Sequence, residues 1–169
     1  MLNKFDQELI EQLQQDGRLS YIALAKLLQI SERTVRNRLK NLLESGIINI
    51  TAMPNLDKLG YGFIGIVGLQ VHLANVKKIG QALAKHPNVC YLANVTGNYD
   101  FIAIIIAQST REFAAFMEEH VSSIPNVAKT ETFVTLNIYK GKPGILDMSQ
   151  LISALPVASS KKIKGGDKI

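Results

Sequence analysis

The chain has 169 residues, of which 47% are apolar and 20% charged, and its net charge is +5 at pH 7. This composition is typical of a globular protein with one ordinary domain or two small ones, and it excludes disorder or a fibrous repeat for most of the chain. The sequence contains no run of eighteen apolar residues and no N-terminal signal pattern. We therefore expect a cytoplasmic protein with no membrane partner.

Residues that could bind a metal or form a disulfide are few. Cys90 is the only cysteine, so a disulfide within one chain and a thiolate zinc site are both excluded. The three histidines, His72, His86 and His120, are scattered along the sequence, and a lone histidine is more often structural than catalytic. We expect no metal, no cofactor and no catalytic residue.

The N-terminal third has the pattern of three short helices. Apolar residues at helical spacing follow the N-cap candidate Asn3, and Ser20 and Ser31 are placed to cap a second and a third helix. Gly46 is placed to close the third helix, and residues 47–51 after it favour β structure. The apolar stripe expected on the second helix is Leu24, Leu27 and Leu28.

The predicted third helix has one apolar face and one polar face. At about 100 degrees per residue, its apolar side consists of Val35, Leu39 and Leu42. Its opposite side offers Arg33, Arg36, Asn37 and Lys40. In a major groove, arginine can pair with guanine and asparagine with adenine. A basic helix alone is more often a solvated surface, but its position after a short helix and a tight turn favours a helix-turn-helix that binds double-stranded DNA.

Arg38 lies beside the apolar side of this helix. From there it would reach either a phosphate or a carboxylate within the protein. The residues expected at the DNA interface are Ser31, Arg33, Thr34, Arg36, Asn37, Arg38 and Lys40.

The C-terminal part contains an internal repeat. Residues 63–66 match residues 101–104, and residues 87–89 match residues 125–127, both at an offset of 38. Each copy has the pattern strand, helix, strand, which gives βαββαβ, a ferredoxin-like sandwich with both helices on one face of an antiparallel sheet. The expected elements are residues 62–73, 76–86, 89–96, 100–107, 110–122 and 127–138, with helix caps at Asn75 and Thr110.

Both faces of the first strand are apolar, although two helices can cover only one. One row is Val67, Leu69, Val71 and Leu73, and the other contains Ile64 and Ile66. A large uncovered apolar face is unusual in a monomer. We therefore predict that two sheets pack together in a homodimer.

These patterns predict an α+β protein with two domains. An N-terminal three-helix, winged-helix-like helix-turn-helix domain (1–53) and a hinge (54–61) precede a ferredoxin-like βαββαβ domain for dimerisation (62–140). Residues 141–169 form an extension with the pattern of a short helix and then a flexible basic tail.

A tetrapeptide of turn-forming residues, Gly97-Asn98-Tyr99-Asp100, joins the two repeats. A hairpin turn needs no further function. Its aromatic and carboxylate groups could also border a small-ligand pocket, and the residues alone leave both interpretations open.

Several short motifs occur in a specific order along residues 2–139. They include Asp16-Gly17-Arg18, Ile30-Ser31, Thr34-Val35, Arg38-Leu39, Gly46-Ile47-Ile48, Gly97-x-Tyr99-Asp100 and Thr130-Glu131-Thr132. In these the chain resembles the Lrp/AsnC family, the leucine-responsive and asparagine-responsive (feast/famine) transcriptional regulators of bacteria and archaea. It departs from the family pattern at Leu43, where glutamate is common, and in its longer C-terminus.

The resemblance implies a DNA-binding domain joined to a βαββαβ domain that forms dimers and often tetramers or octamers. It also implies an effector, usually an amino acid, bound between dimers. The effector-binding residues expected from it are Gly97, Asn98, Tyr99, Asp100, Thr130 and Thr132.

The leading hypothesis is a sequence-specific transcriptional regulator of amino-acid metabolism that performs no chemistry on its effector. One alternative is an enzyme on the same scaffold, because a branch that resembles this family decarboxylates haem precursors. Another is an amino-acid sensor that has lost DNA binding.

Overall fold

The computed structural model describes residues 2–139. The chain divides into two compact units, one ending at Ala52 and the other beginning at Met53. Residue 140 and the predicted extension 141–169 lie outside the described residues. Within residues 2–139, no helix has both the length and the apolar character needed to cross a membrane.

Three α-helices build the N-terminal unit: α1 (Lys4–Gln15), α2 (Tyr21–Leu28) and α3 (Glu32–Glu44). Asn3 caps α1 in a capping box, in which Asn3 and Asp6 each accept the other's backbone N–H. Ser20 and Ser31 cap α2 and α3 in the predicted way. Gln29 ends α2 in the left-handed conformation (φ 53°), and this tight turn leads directly into α3.

The core of the N-terminal unit consists of Leu9, Leu24, Val35, Leu39 and Leu42, all buried. The prediction that Leu27 belongs to the buried stripe of α2 is wrong, because its side chain is 56% exposed. A helix of two turns buries only a narrow stripe, which Leu24 and the half-buried Leu28 occupy.

The β-favouring run at residues 47–51 does not form a strand in the described structure. Instead, the backbone N–H groups of Ile47 and Ile48 donate to the carbonyl of Leu42 at 3.0 and 3.3 Å. Ile48 also packs against the core. These residues therefore satisfy a backbone carbonyl group at the end of α3 rather than pair with a neighbouring strand.

The C-terminal unit has the predicted βαββαβ order. Its elements are β1 (Phe63–Val71), α4 (Val76–Leu83), β2 (Val89–Asn94), β3 (Phe101–Ala107), α5 (Thr110–Phe116) with a π-helical turn (Met117–Ser122), and β4 (Val127–Val134). The sheet is antiparallel in the order β2-β3-β1-β4, and Val67 lies opposite Ala103 and Thr132. The ferredoxin-like fold is thus confirmed.

One sheet face packs against the helices. Its buried residues include Val67, Leu69, Phe101, Ala103, Ile105, Ile79, Leu83, Phe113 and Val121. Two sequence predictions here are wrong. Ser109, not Thr110, caps α5, since its hydroxyl accepts the backbone N–H of Glu112. Leu73 is 83% exposed, because β1 ends at Val71 and the chain turns away from the sheet.

The opposite sheet face, which we call the open face, is apolar and partly uncovered. Half-buried Ile64, Ile102 and Ile104 lie on it with Phe133, which is 49% exposed. Ile106 is fully buried because Leu56 and Tyr61 pack over it. Both belong to the predicted hinge 54–61, so part of that segment packs as core of the C-terminal unit.

Candidate functional site

The exposed side of α3, which we call the basic face, carries Arg33, Arg36, Asn37 and Lys40. The buried residues Val35, Leu39 and Leu42 anchor the opposite side of the same helix. The core thus fixes the rotation of α3 about its axis, which directs three cations and one amide into solvent. This is the arrangement that a helix entering a major groove needs.

Arg36 is held by two neighbours in the absence of DNA. Its Nη2 lies 2.7 Å from Glu32 Oε1, and its guanidinium carbon lies 4.7 Å from the ring centroid of Tyr21 on α2. These contacts orient the arginine before any ligand arrives. Tyr21 is not among the residues expected at the DNA interface, although an aromatic residue at the start of the helix before α3 was a usable signal.

Arg38 binds a carboxylate inside the N-terminal unit. Its Nη1 lies 2.9 Å from Asp6 Oδ1, and the two side chains are only 29% and 15% exposed. Of the two partners that the sequence left open, a phosphate and an internal carboxylate, the structure shows the carboxylate, and this ion pair ties α3 to α1. Ser31 and Thr34 likewise serve the start of α3, with their hydroxyl oxygens 2.7 Å apart.

The Gly97–Asp100 turn is fixed by Asp100. Its backbone N–H donates to the carbonyl of Leu69 at 2.8 Å, and its carboxylate accepts the backbone N–H of Val71 at 2.7 Å. Gln70 donates its side-chain amide to the carbonyl of Asn98 at 2.6 Å. Gly97 adopts φ 122°, which favours glycine. The Asp100 carboxylate therefore holds the turn against the end of β1.

Tyr99 extends from this turn across the open face. A Cβ atom on Gly68 would lie 2.7 Å from its ring, so the ring packs directly over that glycine. The Tyr99 hydroxyl donates to the carboxylate of Glu131, and this hydrogen bond raises the pKa of Tyr99. Glu131, which is not among the expected residues, thus contacts Tyr99 of the turn.

Thr130 and Thr132 lie on the other side of the sheet. They pair with Leu69 and Val67 of the helix-facing row, so strand alternation places their side chains on the helix side of the sheet, away from the Tyr99 ring. Within one protomer the structure therefore gathers Tyr99 and Glu131 on one face, but it does not bring the two threonines to them.

Replacing Gly68 with alanine is expected to displace the Tyr99 ring, because the new methyl group would overlap it. The expected cost in unfolding free energy is about 1 kcal/mol or more. Gly62→Ala is the matched control, since a Cβ there meets no atom of the described residues within 4 Å. Urea unfolding of both variants checks this, and equal stability of the two would contradict the packing of Tyr99 on Gly68.

His86 and His120 meet on the helix side of the C-terminal unit, although the sequence analysis found them scattered. Their ring centroids are 4.3 Å apart, and Phe116 packs against both. Burial, and then the nearby His120, lower the pKa of His86 below its usual 6.5. Fold topology brings them together, since α4 and α5 share one sheet face.

The lowered pKa of His86 makes stability depend on pH. The unfolded chain binds a proton at this site more readily than the folded chain. The stabilisation is complete above pH 6.5 and falls as the pH drops through the folded-state pKa. We expect His86→Gln, but not the exposed His72→Gln, to reduce this slope in unfolding free energy. His120, which contacts His86, and Glu119, which lies beside His120, stay unchanged in both variants.

The sequences of the two units each match a family model. Residues 2–49 match the model described as winged helix-turn-helix DNA-binding, and residues 64–145 match the Lrp/AsnC ligand binding domain. Fold and matches together define a helix-turn-helix DNA-binding protein with a C-terminal ligand-binding domain. The chain belongs to the Lrp/AsnC family of transcriptional regulators.

Proteins of known sequence or structure resemble this chain along most of its length. The HTH-type transcriptional regulator FL11 of Pyrococcus furiosus is 30% identical over 83% of this chain and 93% of its own. The fold is similar to that of Escherichia coli AsnC (TM-score 0.80, 20% identity, 84% of this chain and 97% of that one). It is also similar to a Neisseria meningitidis transcriptional regulator in complex with L-Met (TM-score 0.79, 22% identity, 83% and 94%).

Proposed function

We propose that the protein regulates genes of amino-acid metabolism by binding specific DNA sites through α3. The observation that carries this proposal is the basic face itself, exposed along a helix whose other side is locked into the core. Arg33, Arg36 and Asn37 contact base edges, and Lys40 contacts phosphates. Arg38 positions α3 through its ion pair with Asp6 rather than reading bases.

Ser31 and Thr34 complete the proposed interface at the start of α3. Backbone N–H groups at a helix N-terminus attract phosphate, and the two hydroxyls lie at that end of the helix. They position the helix on the DNA backbone, whereas the basic face provides the sequence preference.

The effector in this proposal is an amino acid that binds near the Gly97–Asp100 turn, between dimers. The related Neisseria regulator is described in complex with L-Met, and the matching family model is described as ligand-binding. Tyr99 and Glu131 provide an aromatic face and a carboxylate beside the turn. Thr130 and Thr132 would join them only from another subunit. The effector acts by binding, without catalysis, which agrees with relatives named as transcriptional regulators.

Assembly in this proposal begins with a homodimer through the open face. The isoleucines and Phe133 there give an apolar surface that a second sheet would remove from water. Dimers then join into tetramers or octamers around the effector. Since the target is genomic DNA, we place the protein in the cytoplasm.

Selection from random double-stranded DNA tests the DNA-binding part. We expect one pseudo-palindromic motif whose half-sites lie one or more helical turns apart. Failure to enrich any motif would overturn this part and favour an amino-acid sensor without DNA binding.

Thermal-shift screening against the standard amino acids tests the effector part. A ligand at one hundred times its dissociation constant adds about 2.7 kcal/mol to stability. We expect at least one amino acid to raise the melting temperature, and a Glu131→Gln variant to respond more weakly. A flat screen would contradict the effector proposal without affecting the DNA result.

A further inference from the structure

The histidine pair on the helix layer has an unsatisfied nitrogen. Nδ1 of His86 is buried and has no hydrogen-bond partner among residues 2–139. A buried imidazole nitrogen without a partner is costly, and native proteins usually satisfy such an atom with a protein group, a water molecule or an ion. Its aromatic neighbours, Phe116 and the ring of His120, include one further imidazole.

We propose that His86 and His120 together bind one divalent transition-metal ion, with water completing the coordination. A neutral imidazole nitrogen binds zinc at about 2.0–2.1 Å, which places the ring centres of two ligands on one tetrahedral ion about 5 Å apart. The observed separation is 4.3 Å. The two ring planes are tilted by 48°. An outward movement of less than about 1 Å therefore gives the ring separation that a shared ion requires.

The ligand chemistry selects the class of ion. Imidazole favours copper, nickel and zinc, whereas magnesium and calcium prefer oxygen ligands. Within residues 2–139 no group of three or more histidine, cysteine or carboxylate side chains is placed to hold a metal. Two protein ligands make an open and exchangeable site. The metal reaches it from solvent, because the side chain of His120 is 47% exposed.

Other features of the pair agree with metal binding. Both imidazoles must be neutral to coordinate, and burial, which lowers the pKa of His86, favours the neutral form of that ring. The Glu119 carboxylate lies 3.8 Å from Nε2 of His120, where it offsets the positive charge of an ion. A bound ion would link the turn after α4 to the π-helical turn after α5, which joins the two helices on the sheet face that they share.

The test is a metal titration of the full chain without an affinity tag, followed by the imidazole proton signals in NMR spectra. With Zn²⁺ we expect the signals of His86 and His120 to shift together, and with Ni²⁺ to broaden together. Those of His72 should stay unchanged over the same range, and Mg²⁺ should move none of them. Equal responses of all three histidines, or of none, would overturn the proposal.

Variants give a second, independent readout. We expect His86→Gln and His120→Gln each to weaken Ni²⁺ binding at least tenfold in calorimetry, with His72→Gln as the matched control that binds like the wild type. If His86→Gln does not fold, the more exposed His120→Gln variant still decides the question. Wild-type affinity in His120→Gln would overturn the proposal. DNA binding plays no part in either readout.

Discussion

Replacing Arg33 and Arg36 together with alanine is expected to weaken binding to the selected DNA site about 30-fold to 20,000-fold. The range follows from about 1–3 kcal/mol for each arginine that pairs with a base, at about 1.4 kcal/mol per tenfold change. Both side chains are exposed on the basic face, so the variant should keep its fold. Electrophoretic mobility shift or fluorescence anisotropy at fixed salt measures the change.

The matched control for this prediction is Lys77→Ala with Lys78→Ala on α4. It removes the same two positive charges from exposed positions outside the helix-turn-helix unit. If only bulk charge matters, both double variants lose the same affinity for every DNA sequence. If α3 reads bases, the arginine variant also loses its preference for the selected site over random DNA, while the lysine variant keeps it.

Replacing Leu24 with alanine should destabilise the N-terminal unit by about 2–5 kcal/mol, the usual cost of truncating a buried leucine. Leu24 is fully buried where α2 meets the core, whereas Leu27 on the same helix is more than half exposed. Leu27→Ala should therefore change the unfolding free energy by no more than about 0.5 kcal/mol. Hydrogen exchange of the α3 amides in denaturant reports the stability of this unit.

Both variants remove the same atoms from the same helix, so helix propensity cancels in the comparison. The Leu24→Ala variant should also lose affinity for DNA at temperatures where its N-terminal unit begins to unfold. Similar stability losses in the two variants would mean that Leu27 is covered in solution, and the surface of α2 would then need another explanation.

Local signals predicted the helices and strands well. Asn3, Ser20 and Ser31 cap their helices as expected, because capping depends on residues only three positions apart. The strand, helix, strand pattern of each repeat likewise depends on neighbouring residues, and it predicted the βαββαβ order correctly. The errors at Leu73 and Leu27 arise where the burial of a side chain depends on how far an element extends or which neighbours surround it.

Contacts between residues far apart in sequence could not be predicted. Asp6 and Arg38 are 32 positions apart, as are Tyr99 and Glu131, and only the assembled fold brings each pair together. Strand alternation explains the choice of Glu131 over its neighbour Thr130. A shift of one residue in the register of β4 would exchange their faces, and no local pattern fixes that register.

The position of the Tyr99 ring has a thermodynamic consequence. The ring lies over Gly68 on the same side of the sheet that we propose for self-association. A small molecule that displaces its hydroxyl from Glu131 would thus alter a surface that one protomer presents to another. If such a molecule changes the association constant of the protomers by some factor, assembly changes the affinity for that molecule by the same factor, because the coupling is reciprocal. Dilution alone would then change how strongly the regulator senses its signal.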